Sequence, residues 1–294
     1  LKKLELGNDL TIQLIEYCKS KQIQFLSTAF DADSLSFLVE NLDSDILKIP
    51  SGEITNGPLL LEHAKTKYDL ILSTGMATLN EIELALGVIA FGMLEEDSTP
   101  SKQAFKAAYE SIEGQNIIKK KITLLHCTSE YPALLEDVNL NAMTTLANKF
   151  GVNVGYSDHS AGLIVPIAAA ASGAKIIEKH FTISNQLQGP DHQSSLEPNQ
   201  LKKMVNAIRS VEIAMGDGVK IPRPSEMDNR KLVRRSIVAS TNISKGEIFT
   251  PKNIACKRPE VGISPMEYWS LLVVNARMII MKTILFPYEN EHIY

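Results

Sequence analysis

Through the first 215 residues, short apolar runs alternate with longer stretches in which apolar positions recur at helical spacing. The runs are FLSTAF (25–30), DILKIPS (45–51), LILSTG (70–75), ITLLHCTSEY (122–131), NVGYSDH (153–159) and KIIEKHF (175–181). Each is rich in Ile, Leu, Val or Phe and closes on polar residues. The helical stretches between them are SLSFLVENL (34–42), LNEIELALGVI (79–89), MTTLANKF (143–150), VPIAAAASG (165–173) and LKKMVNAIRSVEIAM (201–215). In the last, Leu201, Met204, Val205, Ile208 and Val211 share one face. Strands alternating with helices predict βα units and a parallel sheet. Strands that are apolar nearly throughout predict that both faces of that sheet are covered.

A doubly wound sheet and a (β/α)8 barrel both answer to this pattern. A dinucleotide-type sheet should show a glycine-rich turn after its first strand, and none is present. Polar residues cluster instead at the C-terminal ends of several strands: Ser27 and Thr28; Lys48, Ser51 and Glu53; Ser73 and Thr74; Ser129 and Tyr131; Ser157, Asp158 and His159 with Glu178 and His180. A barrel enzyme distributes its chemistry this way, because all strand ends converge on one mouth. Six βα units are legible where a barrel has eight. The chain opens in a helical stretch, LTIQLIEYCKSK (10–21), so the expectation is a TIM barrel whose first two strands are absent. That domain spans 1–215, with Glu95–Gln115 as a polar excursion within one unit. A linker of Gly, Pro and charge follows at 216–232. Short β-like pieces over 233–294 then read as a small β domain, with Trp269 in its core.

Composition narrows the function. With 30 basic against 34 acidic residues and a net charge of −4, there is no basic surplus to neutralise nucleic acid or an anionic membrane. No apolar run approaches the ~20 residues of a spanning helix, and LKKLELGNDL lacks the apolar core of a signal peptide. A cytoplasmic protein is expected. Cys18, Cys127 and Cys256 show no paired spacing, which supports neither a disulfide framework nor a zinc knuckle.

Among candidate chemical groups, His159 and His180 come first. Each ends a strand, with Ser157 and Glu178 two positions earlier and so on the same face. Two imidazoles on neighbouring strands can share a divalent cation and leave coordination positions for water and a substrate carbonyl. The residues alone more readily suit two core histidines bonded to nearby carboxylates, since the spacing carries no diagnostic metal motif. Lys48 in an apolar strand must face the mouth or an anion. With Ser51, Ser73, Thr74 and Ser157 it would cradle a phosphate or carboxylate, or else it pairs with Glu53. Asp191, in GPDHQSS (189–195), reads most simply as a turn carboxylate. His63 and His126 read as structural, and no base accompanies Cys127.

KIPSGEITN, LSTGMATLNEIE, LLHCTSEYP, GYSDHS, IEKHFT and GPDHQSSLEP, in this order, resemble the N-acetylneuraminate (sialic acid) synthase family over about residues 4–272. SIVASTNISKGEIFTPKNIACKRP (236–259) resembles its small antifreeze-protein-like (SAF) domain. The resemblance implies a barrel plus that domain in a domain-swapped homodimer. It implies condensation of phosphoenolpyruvate with an N-acetylated amino sugar, foremost N-acetylmannosamine, to a nine-carbon 2-keto acid and phosphate. It assigns a divalent metal, manganese, to His159 and His180. Thr28, Lys48, Ser51, Ser73, Ser129 and Ser157 would bind phosphoenolpyruvate. Lys48, Glu53 and Glu178 would orient groups or move protons. Tyr131 and Asp191 would contact the sugar, and Arg258 would reach the site from the partner chain. Legionaminate, pseudaminate or spore-coat synthases of the same family, or an inactive truncated member, are the alternatives.

The departures are specific. The E-x-G-x-N-H-N-G and K-x-Q strands that open the family are not found. Ala29 stands where proline is usual, and Ser129 where several members carry asparagine. Beyond Leu272 the ending VVNARMIIMKTILFPYENEHIY is atypical, and its run MIIMKTILF is a β-prone stretch of low charge. A frameshifted terminus is the expectation for it.

Overall fold

The computed structural model describes residues 6–42, 44–94 and 98–282, in two units, Leu1–Gly216 and Asp217–Tyr294. The first opens with α1 (Asn8–Ser20) and α2 (Ala32–Asn41), followed by β1 (Ile46–Ile49), α3 (Gly57–Lys65), β2 (Asp69–Ser73) and α4 (Leu79–Leu94). Helices α5 (Lys102–Glu110) and α6 (Ile112–Lys121) lead into β3 (Ile122–Cys127), the single turn α7 (Leu135–Val138) and α8 (Asn141–Phe150). Then come β4 (Asn153–Asp158), α9 (Ile164–Ala171), β5 (Ile177–Lys179) and α10 (Pro198–Met215).

Strands β1 to β5 form one parallel sheet in sequence order. Partners in register share a face, and faces alternate along each strand. Leu47 lies beside Leu70, Leu72 beside Leu124, and Leu124 beside Val154. Together with Ile49 and Tyr156 they make the helix-facing side, buried in the main core. The other side presents Lys48 beside Ile71, Ser73 beside Leu125, Cys127 beside Ser157 and Ser157 beside Glu178. This side is concave. A flat sheet would hold β1 and β5 about 19 Å apart, four strand spacings, yet Lys48 Nζ on β1 lies 3.1 Å from Glu178 Oε2 on β5. The sheet curls until its outer strands face each other.

Helix α4 is apolar on every side, and Ile82 and Ala85 through Met93 are buried. An all-round apolar helix needs cover on both sides. α4 shares one buried cluster with Leu70, Leu72 and Leu124 of the sheet and packs against α3, α5 and α6, with Phe105 edge-on to Phe91 at 5.2 Å. The polar excursion at 95–115 is thus the outer cover of α4, although residues 95–97 lie outside the described residues.

The FLSTAF segment, expected as a strand, makes only one bridge, Thr28 with Lys48. Leu26 and Phe30 are exposed, so one rung and little burial fall short of a ladder. The stretch read as linker carries a 3-10 turn, Pro224–Glu226, and helix α11 (Met227–Val233).

In the second unit β6 (Ser236–Ala239) pairs antiparallel with β7 (Ile254–Lys257), and α12 (Tyr268–Leu271) follows. Ile237, Ile243, Phe249, Ile254, Ile263, Leu271 and Ile280 make its core. Trp269 is not part of it: the ring is 70% exposed, because Leu271 takes the inward position on that short helix. The atypical ending is structured as far as Lys282. Ile280 is buried and exchanges two backbone hydrogen bonds of 2.8 Å with Ile243. Residues 283–294, with the end of MIIMKTILF, lie outside the described residues.

One position tests how tightly β4 and β5 approach. A Cβ on Gly155 would sit 2.5 Å from the Ile176 carbonyl oxygen and 2.6 Å from Leu125 Cδ2. Since backbone cannot yield as a flexible side chain does, Gly155→Ala is expected to lower unfolding free energy by about 1–3 kcal/mol, read as a reduced urea midpoint.

Candidate active site

Three groups of side chains gather at the C-terminal ends of the strands. The first centres on Lys48, whose side chain is 9% exposed. Its ammonium donates to Glu178, and Glu178 Oε1 also accepts from Ser157 Oγ at 2.8 Å. Lys48 therefore pairs across the mouth with Glu178 and not with Glu53. Glu53 lies in the 3-10 turn Ser51–Glu53 after β1, where Asn56 Nδ2 donates to Oε2 at 2.7 Å. Thr28 flanks Lys48 through its bridge.

The second group is a nest of small polar atoms around Gly75. The Gly75 N–H donates to Ser51 Oγ at 3.0 Å, and Ser51 Oγ lies 3.2 Å from Cys127 Sγ. A Cβ on Gly75 would overlap Ser129 Oγ and come within 2.9 Å of Ser51 Oγ, so only glycine leaves room for these groups to converge. Nearby on the same face, Ser73 Oγ is buried and has no hydrogen-bond partner. A buried hydroxyl without a partner costs about 1–3 kcal/mol, and its orientation to the concave side suits a ligand acceptor.

The third group is aromatic. The Tyr131 ring lies 4.2 Å from His159 and 5.5 Å from His180, and the two imidazoles are 5.4 Å apart, centroid to centroid. His159 Nδ1 is 2.7 Å from the Thr128 carbonyl oxygen. A carbonyl only accepts, so Nδ1 carries the proton and Nε2 keeps its lone pair. Burial depresses the His159 pKa, and the neighbouring His180 adds to this against the opposing Thr128 bond. The neutral imidazole is the form a metal binds. Asp191, on a left-handed turn with φ 64°, holds its carboxylate 3.8 Å from His180 Nδ1. Burial above all, then the nearby Cys127, Asp191 and Glu178, raises the Tyr131 phenol above its ordinary value.

Among the described residues no three His, Cys, Asp or Glu side chains group to hold a metal. Two imidazoles, of which His159 has its Nε2 oriented by the Thr128 bond, fit a cation that takes its remaining ligands from water and substrate oxygen. Arg258 belongs to the second unit, where its Nε donates to the Val233 carbonyl at 2.7 Å. Neither Gly75 nor Lys179 stood out in the sequence. Lys179 precedes His180 in an apolar strand, and a lysine turned toward helices needs a buried partner; that partner is Asp158, 2.7 Å away.

A curled parallel α/β sheet with a polar mouth, followed by a small β unit, defines an enzyme architecture in which strand ends carry the chemistry. A family model described as the NeuB family matches residues 1–220, and a SAF domain model matches 234–273. The chain is 46% identical to N,N'-diacetyllegionaminic acid synthase of Campylobacter jejuni, over 92% of this chain and 74% of that one. It is 33% identical to pseudaminic acid synthase of Helicobacter pylori, over 88% and 69%. The crystal structure of N-acetylneuraminic acid synthetase from Leptospira borgpetersenii aligns with TM-score 0.63 at 36% identity, covering 76% of this chain and 70% of that one. The chain belongs to the NeuB family, whose synthases are phosphoenolpyruvate-condensing transferases. No helix among the described residues is long and apolar enough to cross a membrane.

The Lys48–Glu178 pair sets a directional expectation. Glu178→Gln leaves a buried ammonium without its counter-charge, whereas Lys48→Met removes the charge and keeps the volume. Glu178→Gln should therefore be the more destabilising, by about 1–2 kcal/mol once screening at the 43% exposed Glu178 is allowed for. Urea unfolding of both variants checks the order.

Proposed function

We propose that the protein condenses phosphoenolpyruvate with an N-acetylated amino sugar, forming a nine-carbon 2-keto acid and releasing phosphate. The observation that carries this reading is the unpartnered, buried Ser73 hydroxyl on the sheet face shared with Lys48 and Ser157. It supports an anion cradle adjoining a carbonyl site within a NeuB-family chain. We also read the curled sheet as part of a (β/α)8 barrel, and the active form as a domain-swapped homodimer to which Arg258 contributes.

In this reading Lys48 supplies the fixed positive charge for the phosphate or carboxylate, and Thr28, Ser51, Ser73, Ser129 and Ser157 supply hydroxyl donors. Tyr131 and Asp191 hold the open-chain sugar. His159 and His180 would hold a divalent cation, manganese by the family resemblance, which when bound supplies Lewis-acid polarisation of the aldehyde. The C3 of phosphoenolpyruvate forms a bond to the aldehyde carbon, and the aldehyde oxygen takes up a proton. Water adds at the cation-like C2, the C2–O bond to phosphate breaks, and the ketone forms. Glu53 and Glu178 would orient that water or carry its protons.

Identity to the legionaminic acid synthase, 46%, exceeds that to the N-acetylneuraminic acid synthetase, 36%. This favours, as a second reading, an acceptor with two N-acetyl groups over N-acetylmannosamine. Parallel assays with both sugars separate the two. Phosphate release is expected only when phosphoenolpyruvate, Mn2+ and one of these sugars are present together; release from neither sugar overturns the proposal. Gly75→Ala should displace Ser51 and Ser129. At about 1.5–3 kcal/mol for each hydrogen bond to a charged group, KM for phosphoenolpyruvate should rise about tenfold or more. His180→Ala should abolish the response to Mn2+, and an unaltered response would remove the imidazoles from the site.

A further inference from the structure

Two charged side chains that the proposed reaction does not use are buried directly behind the imidazoles. Asp158 and Lys179 each precede a histidine by one residue, so strand alternation turns them toward the helices while His159 and His180 face the mouth. Lys179 Nζ is 2.7 Å from Asp158 Oδ2, and the two side chains are 2% and 0% exposed. Asp158 Oδ1 accepts from the Ser160 N–H at 2.9 Å and from Ser160 Oγ at 2.7 Å. Lys179 also donates to the Ser160 carbonyl. Ser160 is fully buried and bridges to Ala133, whose N–H donates to the His159 carbonyl at 3.0 Å. One polar knot thus ties the end of β4, the end of β5 and the segment after Tyr131. Those three elements carry the three rings that meet at the mouth.

Stability does not account for such a knot. A buried ion pair loses so much solvation that an apolar pair of the same volume generally serves as well or better. What the charged pair adds is direction: each oxygen and the ammonium has a defined partner, which locks one strand end against the other. A packed apolar pair would allow the two ends to slide.

We propose that Asp158, Lys179 and Ser160 are positioning residues that set the separation and aim of His159 and His180 for a divalent cation. This rests on the two-histidine reading above. Metal affinity should therefore respond to the knot even where the fold does not.

The test compares the full chain with the double variant Asp158→Asn/Lys179→Met, which removes both charges together, keeps the volume and retains the Ser160 N–H and Oγ bonds to residue 158 while losing the lysine's bond to the Ser160 carbonyl. Calorimetric titration with Mn2+, the electron paramagnetic resonance spectrum of the bound ion and thermal unfolding are read on each. The expected result is a near-wild-type unfolding transition, a Kd for Mn2+ raised about tenfold to a hundredfold as for other outer-sphere partners, and an altered spectrum. In the assay, excess Mn2+ should restore kcat while KM for phosphoenolpyruvate stays unchanged. A folded double variant with wild-type affinity and spectrum overturns the proposal. Should the double variant not fold, Ser160→Ala keeps both charges and carries the test. Weakened Mn2+ binding then supports the proposal, and unchanged binding overturns it. A wild-type protein that binds no Mn2+ overturns the histidine reading itself, whereas wild-type binding with unaffected variants overturns the positioning role alone.

Discussion

The first unit depends on a meeting of charges across the concave side of its sheet. Lys48 is the cation of β1, and its ammonium has left water almost completely. Without a counter-charge such a group costs several kcal/mol. Glu178, on the strand four places away, supplies it. That contact exists only because the sheet is curled, and the curl is what makes the strand ends converge. Ser157 and Ser73 are placed on the same face as this pair by register. The energy of the pair is modest, because Glu178 is partly solvated and screened. Its importance is geometric: it requires the outermost strands to share one mouth.

The division between the two sheet faces explains the composition of every strand. Toward the helices the residues are Leu, Ile and Val, each contributing about 1.5–3 kcal/mol on full burial. Toward the mouth Ile71 and Leu125 are interspersed with Lys48, Ser73, Cys127, Ser157 and Glu178. The exception sharpens the rule, since Asp158 and Lys179 are charged on the helix-facing side and are fully paired there. Chemistry at the mouth and order behind it come from adjacent residues of the same two strands. The Asp158-His159 and Lys179-His180 dipeptides each give one side chain to either side of the sheet.

Much of this was legible in the sequence, for identifiable reasons. Parallel strands buried on both sides leave apolar runs; β1, β3, β4 and β5 fell inside runs read as strands, and β2 starts one residue before its run. Period-two alternation put Ser157 with His159, and Glu178 with His180, on one side. What escaped was whatever depended on distance across the fold. The partner of Lys48 is 130 residues away in sequence, so local spacing suggested Glu53 instead. FLSTAF had a strand's composition but makes one rung, because pairing depends on neighbours that composition does not reveal. Gly75 is silent as a residue type until the three side chains that crowd it are known. The tail to Lys282 looked foreign by motif, yet Ile280 fills the small core, because a core selects for shape and apolarity and not for motif.

The mouth is divided electrostatically in a way that suits two unlike substrates. At one end Lys48 and the hydroxyls of Ser51, Ser73 and Ser157 offer a positive charge and donors to a multiply charged anion. At the other, His159 is neutral: burial lowers its pKa, and the Thr128 carbonyl fixes the proton on Nδ1. A protonated imidazole there would repel a cation and attract the phosphate away from Lys48. A neutral one presents a lone pair and no net charge, which in the proposed reaction leaves the anion to Lys48 and the imidazole end to the uncharged sugar. Glu178 stands between, bonded to Lys48 and Ser157 and two residues before His180. In the proposed condensation the new carbon–carbon bond forms between the two ends, beside this carboxylate. In that reading the Lys48–Glu178 pair that joins β1 to β5 also flanks the new bond.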